Sequence, residues 1–279
     1  MEQTGLSVAR MVDLPFRLLR PQFLQLWVPT AAMAVIAGAP MQLLAATGFD
    51  PEHPNMTLLL AQLGGMVVAL PLMLVAYVLM TGVVFGAVLD LSEGRPVDFV
   101  RSARALNASR LFVITALFLA VGMGAGCCVL PGLAISTYLG LATPVAFVEG
   151  QGVGGAFQRS LDLVRGGRDG AWWNDVVARS LAMVAVAFFL QYALGYVVAL
   201  PQTFLAMKSA LESAASGANP DVWGAIPWWL RIATAVGSGC VVALTMLYSS
   251  AASLLLYRYA RERLEGTGLE AAIQDAQTP

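Results

Sequence analysis

Apolar residues run along this chain in long blocks parted by short charged stretches, and the two kinds of stretch predict two kinds of helix. Six blocks, at about 22–46, 58–90, 111–129, 131–148, 171–201 and 227–257, stand near or above the ~20 residues that a helix needs to cross a ~30 Å hydrocarbon core. Between blocks the spacing changes to an amphipathic period. Over 92–110, Phe99, Val100, Ala103 and Leu106 share one helical face, with Arg101 and Arg104 on the other. After the fourth block, Val153, Phe157, Leu161 and Val164 line one side and Gln158, Asp162 and Arg165 the opposite side. These segments are expected to lie flat on the membrane. Residues 1–21 make a third such helix, with Asp13 as its N-cap and Pro15 in the first turn. The pattern therefore divides the chain into an interfacial helix (1–21), a six-span membrane domain (22–258) and a polar, partly disordered tail (259–279).

Within the blocks, small residues mark where helices approach closely. Gly82 and Gly86 form one GxxxG pair, and Gly122 and Gly126 another, in a strip that also holds Gly124. The second block is longer than the bilayer requires, so a tilt, a kink at Pro71 or an inward projection is expected. Pro131 restarts the chain, so blocks three and four form a tight hairpin. Trp172 and Trp173 are placed as headgroup-level anchors. Residues 202–226 form the longest outer segment, with a surface helix in its first half and a turn at SGANPD.

Composition enforces this class: 58% of the residues are hydrophobic and only 12% charged, more apolar surface than one water-soluble core can hide. The 24-residue apolar run from Phe23 exceeds a signal-peptide core, so it is expected to stay as the first span. Charge then sets the direction of crossing. With both termini in the cytoplasm, only Lys208 and Arg231 of the sixteen basic residues fall outside, as the positive-inside rule demands. The net charge of −1 offers no attraction to nucleic acid. Cys127, Cys128 and Cys240 lie in or beside apolar runs without metal-ligand spacing, and His53, the only histidine, sits in an outer loop with Asp50 and Glu52. No cofactor, metal or catalytic set is expected.

The candidate chemistry gathers at the charged corners. Glu149, Arg159 and Arg165, with Arg101, Arg104 and Arg261, form a possible contact set for an anionic lipid headgroup or a protein partner. The plainer reading is that Glu149 caps the helix following it while the arginines snorkel and fix topology. Gly150-Gln151-Gly152-Val153-Gly154-Gly155 fits a dinucleotide fingerprint, but it follows a membrane span instead of a strand, so a flexible corner is expected. Asp175 and Arg179 are spaced to pair along one helix face. A short internal repeat is also visible: Phe99-Val100-Arg101-Ser102 and Phe157-Gln158-Arg159-Ser160 share F-x-R-S, each between an inward-going and an outward-going span.

GRPVDFVRSARAL, LPGLAI, PVAFVEGQGVGGAFQRSLDLVRGG and LYRYARERLEG together resemble the bacterial integral membrane proteins grouped with the membrane domain of glycerophosphoryl diester phosphodiesterase. The likeness covers most of the chain. It is strongest at Pro144, Glu149, Gly150, Ala156, Arg159, Ser160, Leu163 and Gly166, and then at Tyr257, Arg261 and Glu265-Gly266. It implies a multi-pass protein of the bacterial inner membrane. In that family the membrane part accompanies a soluble phosphodiesterase domain in some proteins and stands alone in others. The longest stretch outside the membrane here is about 25 residues, so the hydrolase chemistry is not carried over. The expected function is a non-catalytic scaffold or accessory subunit, its partners being membrane lipids and a membrane protein or further copies of itself. The alternative is a transporter or channel component for an apolar or lipid-like solute.

Overall fold

A computed structural model describes residues 8–46, 56–127, 129–166, 175–216 and 226–265, and everything described is helix or the turns that join helices. Ten α-helices follow in order: α1 (Val8–Leu19), α2 (Phe23–Ala46), α3 (Met56–Ser92), α4 (Phe99–Arg104), α5 (Ala108–Cys127), α6 (Val129–Leu139), α7 (Ala142–Val148), α8 (Val153–Gly166), α9 (Asp175–Ser216) and α10 (Trp228–Glu265). A 3-10 turn, Arg20–Gln22, leads α1 into α2. Among the described residues, five helical stretches are long and apolar enough to cross a membrane: Met11–Ala39, Gly64–Ser92, Leu130–Val148, Val176–Ser216 and Trp228–Glu265. The third expected span corresponds to the shorter apolar stretch Ala108–Gly124. The expected fourth span is α6 and α7 in succession, interrupted where the amide of Gly140 bonds the carbonyl of Ser136.

Several helix ends differ from those the hydropathy predicts. α9 does not stop at Pro201 but carries it inside a 42-residue helix, and α10 runs beyond 257 to Glu265. Pro71 likewise lies inside α3. A proline removes one backbone donor, and the remaining ladder holds wherever the flanking residues are good helix formers, as Leu200, Gln202, Leu205 and Ala206 are here. α1 extends back to Val8, so Asp13 is not its N-cap; it pairs with Arg17 one turn later. Trp172, Trp173, the loop holding His53, Cys128, the turn SGANPD beyond Ser216 and the tail from 266 lie outside the described residues, as do the side chains of Cys127 and Asp175 and the surroundings of Gly126.

The chain forms two compact units. The first comprises Met1–Leu26, Thr81–Phe188 and Met246–Pro279, and its core is filled by Phe85, Val88, Ile114, Val145, Leu163, Leu247, Leu254 and Tyr257. The rings of Phe85 and Phe147 stand 4.8 Å apart, and Phe16 of α1 lies 4.9 Å from Tyr248 of α10. α5 and α6 pack as the expected hairpin. A Cβ on Gly124 would stand 3.1 Å from the Gly132 backbone, so this glycine is the close-contact position, while Gly122 faces open space. The second unit comprises Trp27–Met80 and Phe189–Thr245. There α2, α9 and α10 meet through Gly237 against Val198 and Gly239 against Val35, and the Trp27 indole donates to the Cys240 carbonyl at 3.3 Å.

Candidate functional site

The charged corners fall within the first unit, and their geometry starts from helix ends. Each apolar helix that finishes at a corner leaves carbonyls without intrahelical partners and the negative end of its dipole. At the end of α3 the Arg258 guanidinium of α10 donates to the Ser92 carbonyl at 3.5 Å and to its Oγ at 2.9 Å. At the end of α7, Arg110 donates to the Phe147 carbonyl at 3.2 Å and stacks on the Phe147 ring at 4.8 Å. The same side chain reaches the Ala105 carbonyl that ends α4, at 2.6 Å. Toward the end of α10, buried Arg179 of α9 lies over the Tyr259 ring at 4.4 Å.

The first corner joins α3 to α4. Gly94 takes a left-handed φ of +70° there, where a side chain would be strained. Asp98 then accepts from the amides of Val100 and Arg101, making it the N-cap of α4. Asp90, buried near the end of α3, accepts two hydrogen bonds from Arg101, at 2.7 and 3.2 Å, and lies 3.6 Å from Arg95. α4 is only six residues long, shorter than the amphipathic spacing predicts, because Asn107 accepts from the Arg110 amide and starts α5. The expected apolar face is also rotated. Val100 and Ala103 are exposed and Ser102 is buried. Gly86 explains this: a Cβ there would lie 2.9 Å from the Ser102 Cβ, and one on Gly82 would lie 2.7 Å from a methyl of Leu106. That GxxxG pair seats the short helix and the turn after it, and a Cβ on Gly82 would also lie 3.3 Å from a methyl of Ile114 on α5.

The second corner, between α7 and α8, repeats this plan with longer reach. Gly150, again at φ +70°, turns the chain between two helices, the setting expected when the glycine-rich stretch is a corner. Glu149 is the C-cap of α7 and does not cap α8. Its Oε1 accepts from the Tyr257 hydroxyl at 2.8 Å and lies 3.4 Å from the Arg159 Nε, while its Oε2 accepts from the Gln151 amide at 3.1 Å. Arg159 also pairs with Glu265, and Arg261 donates to Glu265 at 2.7 Å and to the Tyr257 hydroxyl at 3.4 Å. Two carboxylates and two guanidiniums thus close one network across α7, α8 and α10. Its electrostatics favour the ionised forms of Glu265, Arg159 and Arg261. Hydrogen bonding from Arg261 lowers the Glu265 pKa against a smaller opposing effect of burial, with Arg159 assisting. Burial works to lower the Arg159 pKa, but its bonds to Glu265 and Glu149 outweigh that and raise it. The Glu265 hydrogen bond likewise raises Arg261.

The two F-x-R-S segments therefore occupy matching places. Arg101 returns to an acid eleven residues before it and Arg159 to one ten residues before it, and the serine after each arginine is buried, Ser160 donating to the Tyr138 carbonyl at 2.9 Å. α8 buries Ala156, Ser160, Leu163 and Val164; of the expected face Val164 is buried, while Val153, Phe157 and Leu161 are half-buried because the stripe is turned toward Ala156 and Ser160. Of the six charged residues singled out in the sequence, the structure joins Glu149, Arg159 and Arg261, pairs Arg101 with Asp90, and leaves Arg104 and Arg165 exposed. Sequence reasoning missed Asp90, Arg110 and Arg258 as corner residues; the visible signal was a charge at the edge of an apolar block. Among the described residues no three His, Cys, Asp or Glu side chains gather as a metal site. Family models, curated proteins and solved structures give no match to this chain.

Proposed function

We propose that the chain is a non-catalytic scaffold or accessory subunit of the bacterial inner membrane, with six spans and both termini in the cytoplasm, packing with membrane partners, lipids or further copies of itself. The observation that carries this reading is the use made of polar groups at the corners. Asp90 and Glu149, the acids best placed for chemistry, are each held by arginine, and Arg110 and Arg258 bond the carbonyl ends of α7 and α3. Paired in this way, Asp90 and Glu149 serve to position helices. The family resemblance supports the same reading, since its most specific stretch includes Glu149 and Arg159 and its next includes Tyr257, Arg261 and Glu265, which together form one network.

Two measurements test it. Reporter fusions within 150–170 should report the cytoplasmic side, and a far-side signal overturns the topology. Purification from native membranes in mild detergent should retain a stoichiometric membrane partner or a homo-oligomer. A chain that emerges alone and drives solute uptake into proteoliposomes replaces the scaffold with the transporter.

A further inference from the structure

Sorting the corner arginines by partner separates a set with a different job. Arg17, Arg95, Arg101, Arg159 and Arg261 face carboxylates, and Arg110 and Arg258 face backbone carbonyls. Arg20, Arg104 and Arg165 are exposed and have neither kind of partner among the described residues. They are distributed one to a helix: Arg20 in the turn that continues α1, Arg104 at the end of α4, Arg165 in the last turn of α8.

Each also has an apolar side chain four residues earlier, hence adjacent on the helix surface, because the buried faces of α4 and α8 are turned from those the spacing predicts. Phe16 precedes Arg20 and is 40% exposed, one side of its ring resting on Tyr248; Val100 precedes Arg104 and is 59% exposed; Leu161 precedes Arg165 and is half-buried. Topology alone asks only for a cation, with no apolar neighbour and no lack of acid. An outward apolar group beside an uncompensated guanidinium is instead the chemistry of the headgroup boundary. The apolar group enters the acyl edge while the planar fork of the guanidinium meets phosphate oxygens two at a time.

We infer that Arg20, Arg104 and Arg165 are three like stations that hold the phosphates of anionic phospholipids in the cytoplasmic leaflet, and that the paired arginines do not take part. This rests on the membrane placement proposed above and names its lipid partner. It also narrows the six-residue contact set expected from the sequence to Arg104 and Arg165, and adds Arg20.

The test uses the full chain reconstituted into phosphatidylcholine vesicles doped with phosphatidylglycerol. It compares how strongly spin-labelled phosphatidylglycerol and spin-labelled phosphatidylcholine enter the motionally restricted shell around the protein. One cation near an anionic leaflet is worth about a fivefold preference, so the unaltered protein should favour phosphatidylglycerol by at least that factor. The R20Q/R104Q/R165Q variant should fall close to no preference, R20K/R104K/R165K should keep most of it, and R17Q, whose arginine already faces Asp13, should match the unaltered protein. Preference retained by the triple glutamine variant, or lost equally in R17Q, overturns the inference. So does preference abolished by inorganic phosphate at constant ionic strength, which marks a free-anion site. If the chain fails to enter vesicles at all, the membrane placement falls and this inference with it; entry without lipid preference overturns the inference alone.

Discussion

Gly86 and Gly122 look alike in sequence, each a glycine inside an apolar helix and each half of a GxxxG pair, yet their surroundings differ. A methyl on Gly86 meets the Ser102 Cβ at 2.9 Å, whereas one on Gly122 meets nothing within 4 Å. Gly86→Ala should therefore destabilise the detergent-solubilised protein by about 1–2 kcal/mol, the overpacking exceeding the gain in helix propensity. Gly122→Ala should be neutral or stabilise it by up to ~1 kcal/mol. Thermal unfolding of the two variants side by side decides the matter, and a Gly86→Ala protein as stable as its parent removes the seat assigned to α4. What the sequence could show here was limited. It marked the small residues but not what they face, because a GxxxG strip reports only the absence of side-chain bulk. The pairings at Glu149 were equally hidden: Tyr257 lies 108 residues away, and no local periodicity encodes such a distance. The F-x-R-S repeat did encode something, since the arginine and serine of both copies have matching surroundings.

Among the elements, the end of α10 shows how a polar helical tail is retained. RYARERLE carries five charges, a composition that reads as solvated tail, but Arg258, Arg261 and Glu265 face three different partners and keep the helix regular to Glu265. Leu264 packs where Gly166 leaves no side chain on α8. This contact responds to pH in a definite direction. Glu265 has its pKa lowered from 4.5 in the folded state, chiefly by Arg261. Its contribution is fully present above about 4.5 and is lost as the pH falls through the lowered folded value. Acidification through that window, or Glu265→Gln at neutral pH, should lower the protection factors of the amides over 258–265, taken against the intrinsic rate at each pH, by roughly fivefold, with those of slower amides in α5 unchanged. Equal protection in the variant and the parent assigns the helix end to its apolar contacts alone. At neutral pH the same loosening should speed tryptic cleavage after Arg261 and Arg263.

Over the molecule as a whole, hydropathy located the helices well because each span must satisfy its own backbone hydrogen bonds, which leaves helix as the available form for an apolar block. It misplaced their ends for the same reason. The apolar signal fades where lipid ends, while the hydrogen-bond ladder continues as long as the residues favour helix. α3, α9 and α10 have 37, 42 and 38 residues, about 55, 63 and 57 Å of helix against a ~30 Å hydrocarbon core. Even a steep tilt leaves more than a turn of each outside the core, and on α9 the excess is marked by exposed Lys208 and Glu212, which lie 3.8 Å apart as an i,i+4 pair. A Glu212→Cys protein, built with the native cysteines replaced, should react with a membrane-impermeant maleimide on intact cells. Val186→Cys, one turn beyond Met183 on the same helix, should not react before detergent is added. Labelling of Glu212→Cys only after the cells are opened places that end of α9 in the cytoplasm. That outcome overturns the proposed orientation, in which six crossings with both termini in the cytoplasm put this end of α9 on the far side.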